Sequence, residues 1–171
     1  MRFSDELFAA LGYAREEAMR TGSYSVGPDH LFLGLLRHGD NDAIRFLNES
    51  GVDLAACKRC LDAALFHEHS IPYAAEDQVL FSRDSANLLN LAGAEALKAG
   101  DKIARPLHLL LALSRSDRSL CARYLADCGI GPERIAAACP KVVSDSETLP
   151  PDSDTVSRLL SGLTLRTDTP S

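Results

Sequence analysis

Apolar residues in the first part of the chain recur at helical spacing, broken at intervals by glycine or by Asx residues. Leu7, Phe8, Leu11, Ala14, Ala18 and Met19 keep a 3.6-residue period. They predict a helix of about 17 residues that starts behind Ser4, carries Asp5 and Glu6 in its first turn and stops at Thr21-Gly22. Phe3, just ahead of the cap, is placed to pack back on Phe8. After a connector from Ser23 to Gly27 comes Pro28-Asp29-His30-Leu31-Phe32-Leu33-Gly34-Leu35-Leu36, apolar nearly all round. Pro28 suits a first helical turn, Asp29 complements the positive end of the helix dipole, and so short and apolar a helix must be buried. It ends near His38-Gly39. Asp40-Asn41-Asp42 then opens a third helix through Ala43, Ile44, Phe46 and Leu47, stopped by Ser50-Gly51. Val52-Asp53-Leu54 opens a fourth, which runs to about Leu65.

The same cycle returns at an offset of 78 residues, from Phe3 to Phe81. Ser82 matches Ser4, Glu95-Ala96 matches Glu17-Ala18, and Gly100 matches Gly22. Pro106-Leu107-His108-Leu109 matches Pro28-Asp29-His30-Leu31, Arg115 matches Arg37, and Gly129 matches Gly51, with no gap between. Caps, stops and core positions agreeing in one register mark an internal duplication.

Two four-helix units in tandem, with no strand signal, predict an all-α domain. One such unit has a marginal core by itself, so the two are expected to pack face to face about a pseudo-twofold axis. The first repeat is read as residues 1–65, the connector as 66–80, the second repeat as 81–139, and 140–171 as a polar, proline-containing linker or disordered tail. Within that tail Val156, Leu159, Leu160 and Leu163 have the spacing of a short amphipathic segment.

Composition narrows the function. The chain has a formal net charge of −6 and no run of Lys or Arg, which argues against nucleic acid and anionic membrane as partners. No apolar stretch approaches the roughly 18 residues of a spanning helix, and the N-terminal residues lack a signal peptide's apolar segment. Five cysteines, an odd number, point to reduced thiols and a cytoplasmic location. The phosphate-cradling Gly-x-x-x-x-Gly-Lys-Ser/Thr loop is missing from this sequence, as is any nucleophile–base pair, so it reads as non-catalytic and without a cofactor.

A helix opened by Phe-Ser, an Ala-x-x-Glu-Ala segment ending near Gly22, and Gly-x-x-His-Leu-x-Leu-Gly-Leu-Leu, all duplicated, resemble the Clp N-terminal repeat domain over residues 1–139. That domain lies at the front of Clp/Hsp100 unfoldases and also exists as a separate protein. The resemblance implies two four-helix repeats and a module that recognises adaptors or unfolded substrates for a Clp ATPase. A divergent stand-alone regulator or decoy with another protein partner is the second reading.

Some relatives, in the ClpC branch, bind phosphorylated arginine. Their pattern has Thr at the first helix start and Gly-Thr-Glu-His at the second. The glutamate pairs with the ligand's guanidinium, and helix N-terminal amides suit its phosphate. Carried over, the resemblance implies a ligand site at Ser4 and Asp29 in the first repeat. The second repeat keeps Ser82 but has Leu107 and Arg105 where Glu and Gly should stand, so no site is expected there. Asp29 also reads simply as a carboxylate complementing its own helix.

His30 and His108 sit at one repeated position inside apolar helices and read as core histidines bonded to backbone or cap groups. Cys57-x-x-Cys60 followed by His67 and His69 is the one metal-like constellation. The duplication aligns the two cysteines with Ile135 and Ala138, which reads as buried small positions, so no metal is expected.

Overall fold

The computed structural model describes residues 2–141. The linker or tail reading of 140–171, with its apolar segment at 156–163, therefore lies almost wholly outside the described residues. The helices of the first half are α1 (Asp5–Arg20), α2 (Pro28–His38), α3 (Asp42–Glu49) and α4 (Leu54–Leu65). Those of the second are α5 (Arg83–Lys98), α6 (Pro106–Ser114), α7 (Leu120–Asp127) and α8 (Pro132–Ala138). A 3-10 turn at Tyr73–Gln78 lies between the halves. The all-α reading holds, the helix starts read at Ser4, Asn41, Asp53 and Ser82 are the observed caps, and Ser119 is a further one. Ser4, Asn41, Asp53, Ser82 and Ser119 each accept a hydrogen bond from a first-turn amide. Gly22, Gly51, Gly100 and Gly129 lie at φ between 77° and 84°, the left-handed conformation that ends a helix.

Four short strands depart from the sequence reading: β1 (Arg2–Phe3), β2 (Ser25–Val26), β3 (Leu80–Phe81) and β4 (Ile103–Ala104). At two residues each they are too short for alternation to register in the sequence. They pair in parallel and only between halves. Phe3 is in register with Ala104 in one pair, and Val26 with Phe81 in the other. The backbone continues each pairing: the Ser4 N–H donates to the Ala104 carbonyl at 2.9 Å, and the Ser82 N–H to Val26 at 3.0 Å. The residue that caps the first helix of each repeat is thus fastened to the strand that leads into the second helix of the other.

The core runs continuously through both halves, with α2 and α6 at its centre; Phe32, Leu33, Leu109 and Leu111 are all buried. α2 crosses α1 at its glycine: a Cβ on Gly34 would stand 2.7 Å from the Ala14 nitrogen and 2.8 Å from its Cα. The equivalent α6 residue, Ala112, is accommodated and buried.

Leu33 and Leu111 occupy equivalent buried positions, so each truncation removes the same methyl groups from one shared core. Leu33→Ala and Leu111→Ala are each expected to lower unfolding stability by about 2–5 kcal/mol in urea melts. A near-neutral result for either would contradict the shared core in that half.

Candidate functional site

The beginning of α2 is held by its own histidine. His30 Nδ1 accepts from the Gly27 N–H at 3.1 Å, the reciprocal contact a glutamate makes in a capping box. An accepting Nδ1 puts the proton on Nε2, which lies 3.0 Å from Thr21 Oγ1; that hydroxyl in turn donates to the Glu17 carbonyl at 2.9 Å. His108 repeats the first contact, accepting from the Arg105 N–H at 2.9 Å. Its second nitrogen is buried without a hydrogen-bond partner, because Ala99 stands where the first repeat has Thr21. Both imidazoles are core groups in cap networks, and burial lowers the pKa of each from 6.5.

The two helix-starting carboxylates reach across to the other repeat. Asp29, near the start of α2, accepts from the Leu120 N–H at 3.1 Å and the Cys121 N–H at 2.9 Å, the first amides of α7. Asp42, at the start of α3, accepts from the Leu107 N–H at 2.9 Å in the first turn of α6. Under the duplication Leu107 corresponds to Asp29, and Leu120 to Asp42. The two contacts are therefore one contact seen twice, with the carboxylate moved to the opposite partner. Each places a negative group on the positive end of a helix, and burial pushes the Asp42 carboxyl above its ordinary range.

Ser4 and Asp29 are not brought together. Ser4 is buried beside the start of α6, in a small cleft with Glu6, Asp42, Arg45, Arg105 and Pro106. Asp29 faces α7, on the side where Ser82 is fastened to Val26. The sequence reading took hydroxyl and carboxylate from the same repeat, whereas the parallel pairings join the first helix start of one repeat to the second helix start of the other. Asp42 escaped that reading, which assigned it to its own helix; Asn41 is the α3 cap, accepting from the Ile44 N–H at 3.0 Å. The signal was present in the duplication, where each Asp faces a position matched by leucine.

The cysteine–histidine constellation separates. His67 lies against the end of α1, its N–H donating to the Thr21 carbonyl at 2.8 Å, and His69 is exposed beside Glu68. Among the described residues no cluster of three or more His, Cys, Asp or Glu is placed to hold a metal ion. No helix among them is long and apolar enough to cross a membrane.

Two open grooves occupy equivalent places on the two halves. The first, between α1, α2 and α4, is lined by Glu17, Arg20, Leu33, Leu36, Arg37 and Lys58. The second, between α5, α6 and α8, includes Glu95, Lys98, Leu111, Arg115, Ala136 and Cys139. In each, a largely buried glutamate holds cations at the rim. Glu17 binds Arg20 at 2.9 Å and Arg37 at 3.1 Å, and Glu95 binds Arg115 at 2.7 Å. Asp62 adds Arg20 at 2.7 Å and Lys58 at 2.9 Å to the first network.

A duplicated helical domain with crossed strand pairings and two equivalent grooves defines a tandem-repeat module. The chain belongs to the Clp repeat (R) N-terminal domain family, whose model matches residues 2–128. It is similar to "Negative regulator of genetic competence ClpC/MecB" of Bacillus subtilis, 24% identical over 147 residues. It also resembles "Chaperone protein ClpC, chloroplastic" of Pisum sativum, 26% identical over 145 residues. These alignments cover 86% and 85% of this chain but 18% and 15% of the relatives, so the chain spans under a fifth of their length. Among solved structures it is similar to the N-terminal domain of ClpD from Arabidopsis thaliana, with a TM-score of 0.61 and 21% identity over 80% of this chain and 91% of that one. A structure titled "Preliminary structural investigations of a malarial protein secretion system" gives a TM-score of 0.69 at 21% identity, covering 81% of this chain and 92% of that one.

The caps and crossings lead to three expectations. Ala99 and Thr21 share a backbone conformation, φ −85° and −88°, so Ala99→Thr is expected to supply the missing acceptor for His108 and stabilise by about 1 kcal/mol. Both histidine pKa values are lowered in the fold, so the unfolded chain binds more protons. This stability is complete above pH 6.5, is lost as pH falls through it, and should show as a lower Tm in mildly acidic buffer than at neutral pH. The carboxyls of Asp62 and Asp101 lie below 3.8, outside that window, and the raised Asp42 carboxyl acts in the opposite sense, favouring the fold as the pH falls. Asp29→Ala, which strips both α7 amides of their acceptor, is expected to cost about 2–3 kcal/mol in the same melts. A neutral Asp29→Ala would show that this contact does not hold the repeats together.

Proposed function

We propose that the chain is a non-catalytic protein-binding domain that recognises adaptors or substrates for a Clp-type unfoldase or protease, using the paired grooves. The observation that carries this reading is the contrast between grooves and crossings. The grooves are open, with leucine or alanine in the wall and cations at the rim, the mixture of apolar anchor and polar border that suits a protein partner. At the crossings the first-turn amides of α6 and α7 already hold the chain's own carboxylates.

The same contrast bears on phosphoarginine. Both oxygens of Asp29 are engaged with α7, and the Asp29 residue is 9% exposed, so binding free phosphoarginine there would require breaking two charge-assisted hydrogen bonds. Family membership and the cytoplasmic location expected from the reduced thiols support Clp ATPase subunits and their adaptors as partners.

With the chain immobilised in a native cytoplasmic extract, Clp ATPase subunits or their adaptors are expected to be retained. The partly exposed Leu36 offers the control: Leu36→Asp should abolish retention while leaving the helical circular dichroism unchanged. Retention of proteins unrelated to Clp, unaffected by Leu36→Asp, would instead support a regulator with another partner. Calorimetric titration with free phosphoarginine at millimolar concentration is expected to show no binding. Saturable binding that disappears in Asp29→Ala would restore a ligand site at Asp29.

A further inference from the structure

After α4 the chain doubles back over the C-terminal end of α1. The His67 N–H donates to the Thr21 carbonyl at 2.8 Å, and the Ile71 N–H donates to the Met19 carbonyl at 2.9 Å. This strap runs so close to the helix that a Cβ on Gly22 would stand 2.9 Å from the His67 Cβ. Under it Thr21 and Met19 are buried, at 0% and 4% exposure, and Ile71 is buried with them. The strap thus supplies donors to the last carbonyls of a helix, which have no donors of their own within the helix.

The end of α5 repeats the end of α1 with less cover. Leu97, Ala99 and Gly100 correspond to Met19, Thr21 and Gly22, and Gly100 keeps the left-handed backbone, φ 77° against 84°. Leu97 and Ala99 are only partly buried, and Lys98 between them is exposed. α8 stops at Ala138, whereas α4 runs on to Leu65, because Pro140 stands where α4 has Asp62. The chain then reaches Lys141, where the described residues end. Lys141 lines the same groove as Lys98 and Ala99.

The 78-residue register continues past that point in the sequence. Ser70-Ile71-Pro72 returns as Thr148-Leu149-Pro150, and His67 corresponds to Asp145. A hydroxyl residue, a branched aliphatic and a proline recur in order, and the proline biases Ile71 and Leu149 alike toward extended backbone. Asp145 and Glu147 are opposite in sign to Lys98 and Lys141. Four steps of extended chain from Lys141 to Asp145 cover about 13 Å.

We propose that residues 145–150 are the strap of the second repeat, docking on the end of α5 as 67–72 dock on the end of α1. Leu149 covers Leu97 and gives its N–H to the Leu97 carbonyl, while the Asp145 N–H goes to the Ala99 carbonyl. Burial of the two leucines drives the contact, and the acids of the segment lie beside the lysines. In the first repeat Arg20 and Arg37 border both the strap and the groove, and the groove stays open. The second strap runs in the same way beside Lys98 and Arg115. Its docking does not depend on what either groove binds.

Solution NMR of the full chain provides the test. The expected result is methyl contact between Leu149 and Leu97, with the Leu149 amide exchanging about tenfold or more slowly than in a free peptide of residues 142–155. Leu149→Asp should abolish both and shift the Leu97 and Ala99 signals. Those of Met19 and Thr21 should stay in place, which also reports that the variant is folded. Mixing labelled with unlabelled protein separates contacts within one chain from contacts between chains. A Leu149 amide exchanging at the peptide's rate, a contact found only between chains, or docking of Val156 to Leu163 on α5 in place of Leu149 would each overturn the proposal.

Discussion

Neither repeat completes the start of its own first helix. Ser4 caps α1 with its side chain while giving its backbone N–H to Ala104, and Ser82 does the same for α5 with Val26. Each two-residue parallel pairing links a helix start in one repeat to the approach of the apolar second helix in the other. The buried α2 and α6 can be aimed into a common core because their leading strands are pinned this way. Four residues of ladder on each side would be negligible alone; their weight lies in the burial of the helices they aim.

That crossed arrangement makes differences between the copies meaningful, because each is a change made once in a contact the fold uses twice. The acid–amide contact at the crossings survives in both places with the carboxylate on opposite sides, Asp29 in one and Asp42 in the other. The histidine cap survives twice, but its outer partner only once, since Thr21 has no hydroxyl counterpart at Ala99. The close approach of α1 to α2 at Gly34 is relaxed at Ala112. The second repeat thus keeps the geometry with fewer polar contacts and a more uniformly apolar central helix.

Function follows the same division. The crossings, where helix-start amides would otherwise be open to an anion, are closed by acids from within the chain, and they act as fasteners. The grooves flanking α2 and α6 remain open, with rims held in place by Glu17 and Glu95. A glutamate so buried and paired with two cations fixes the long side chains that border the groove, which under the proposed function would lower the entropy a partner must remove on binding.

The helices, their caps and glycine stops, and the duplication were all legible in the sequence, because each depends on residues within one turn of each other or on an exact repeat of position. So was the core identity of His30 and His108. The site was only partly legible. Ser4 and Asp29 were read as one ligand site, but their partners were set by two strands too short to leave a pattern, and these joined helix starts from different repeats. Asp42 read as a local helix residue because its bond to Leu107 spans 65 positions. Cys57 and Cys60 read as small buried positions, which holds for Cys57 and fails for Cys60, which is exposed. Local hydrogen bonding and periodicity are written along the chain; which repeat supplies the other half of each contact was decided only by how the two packed.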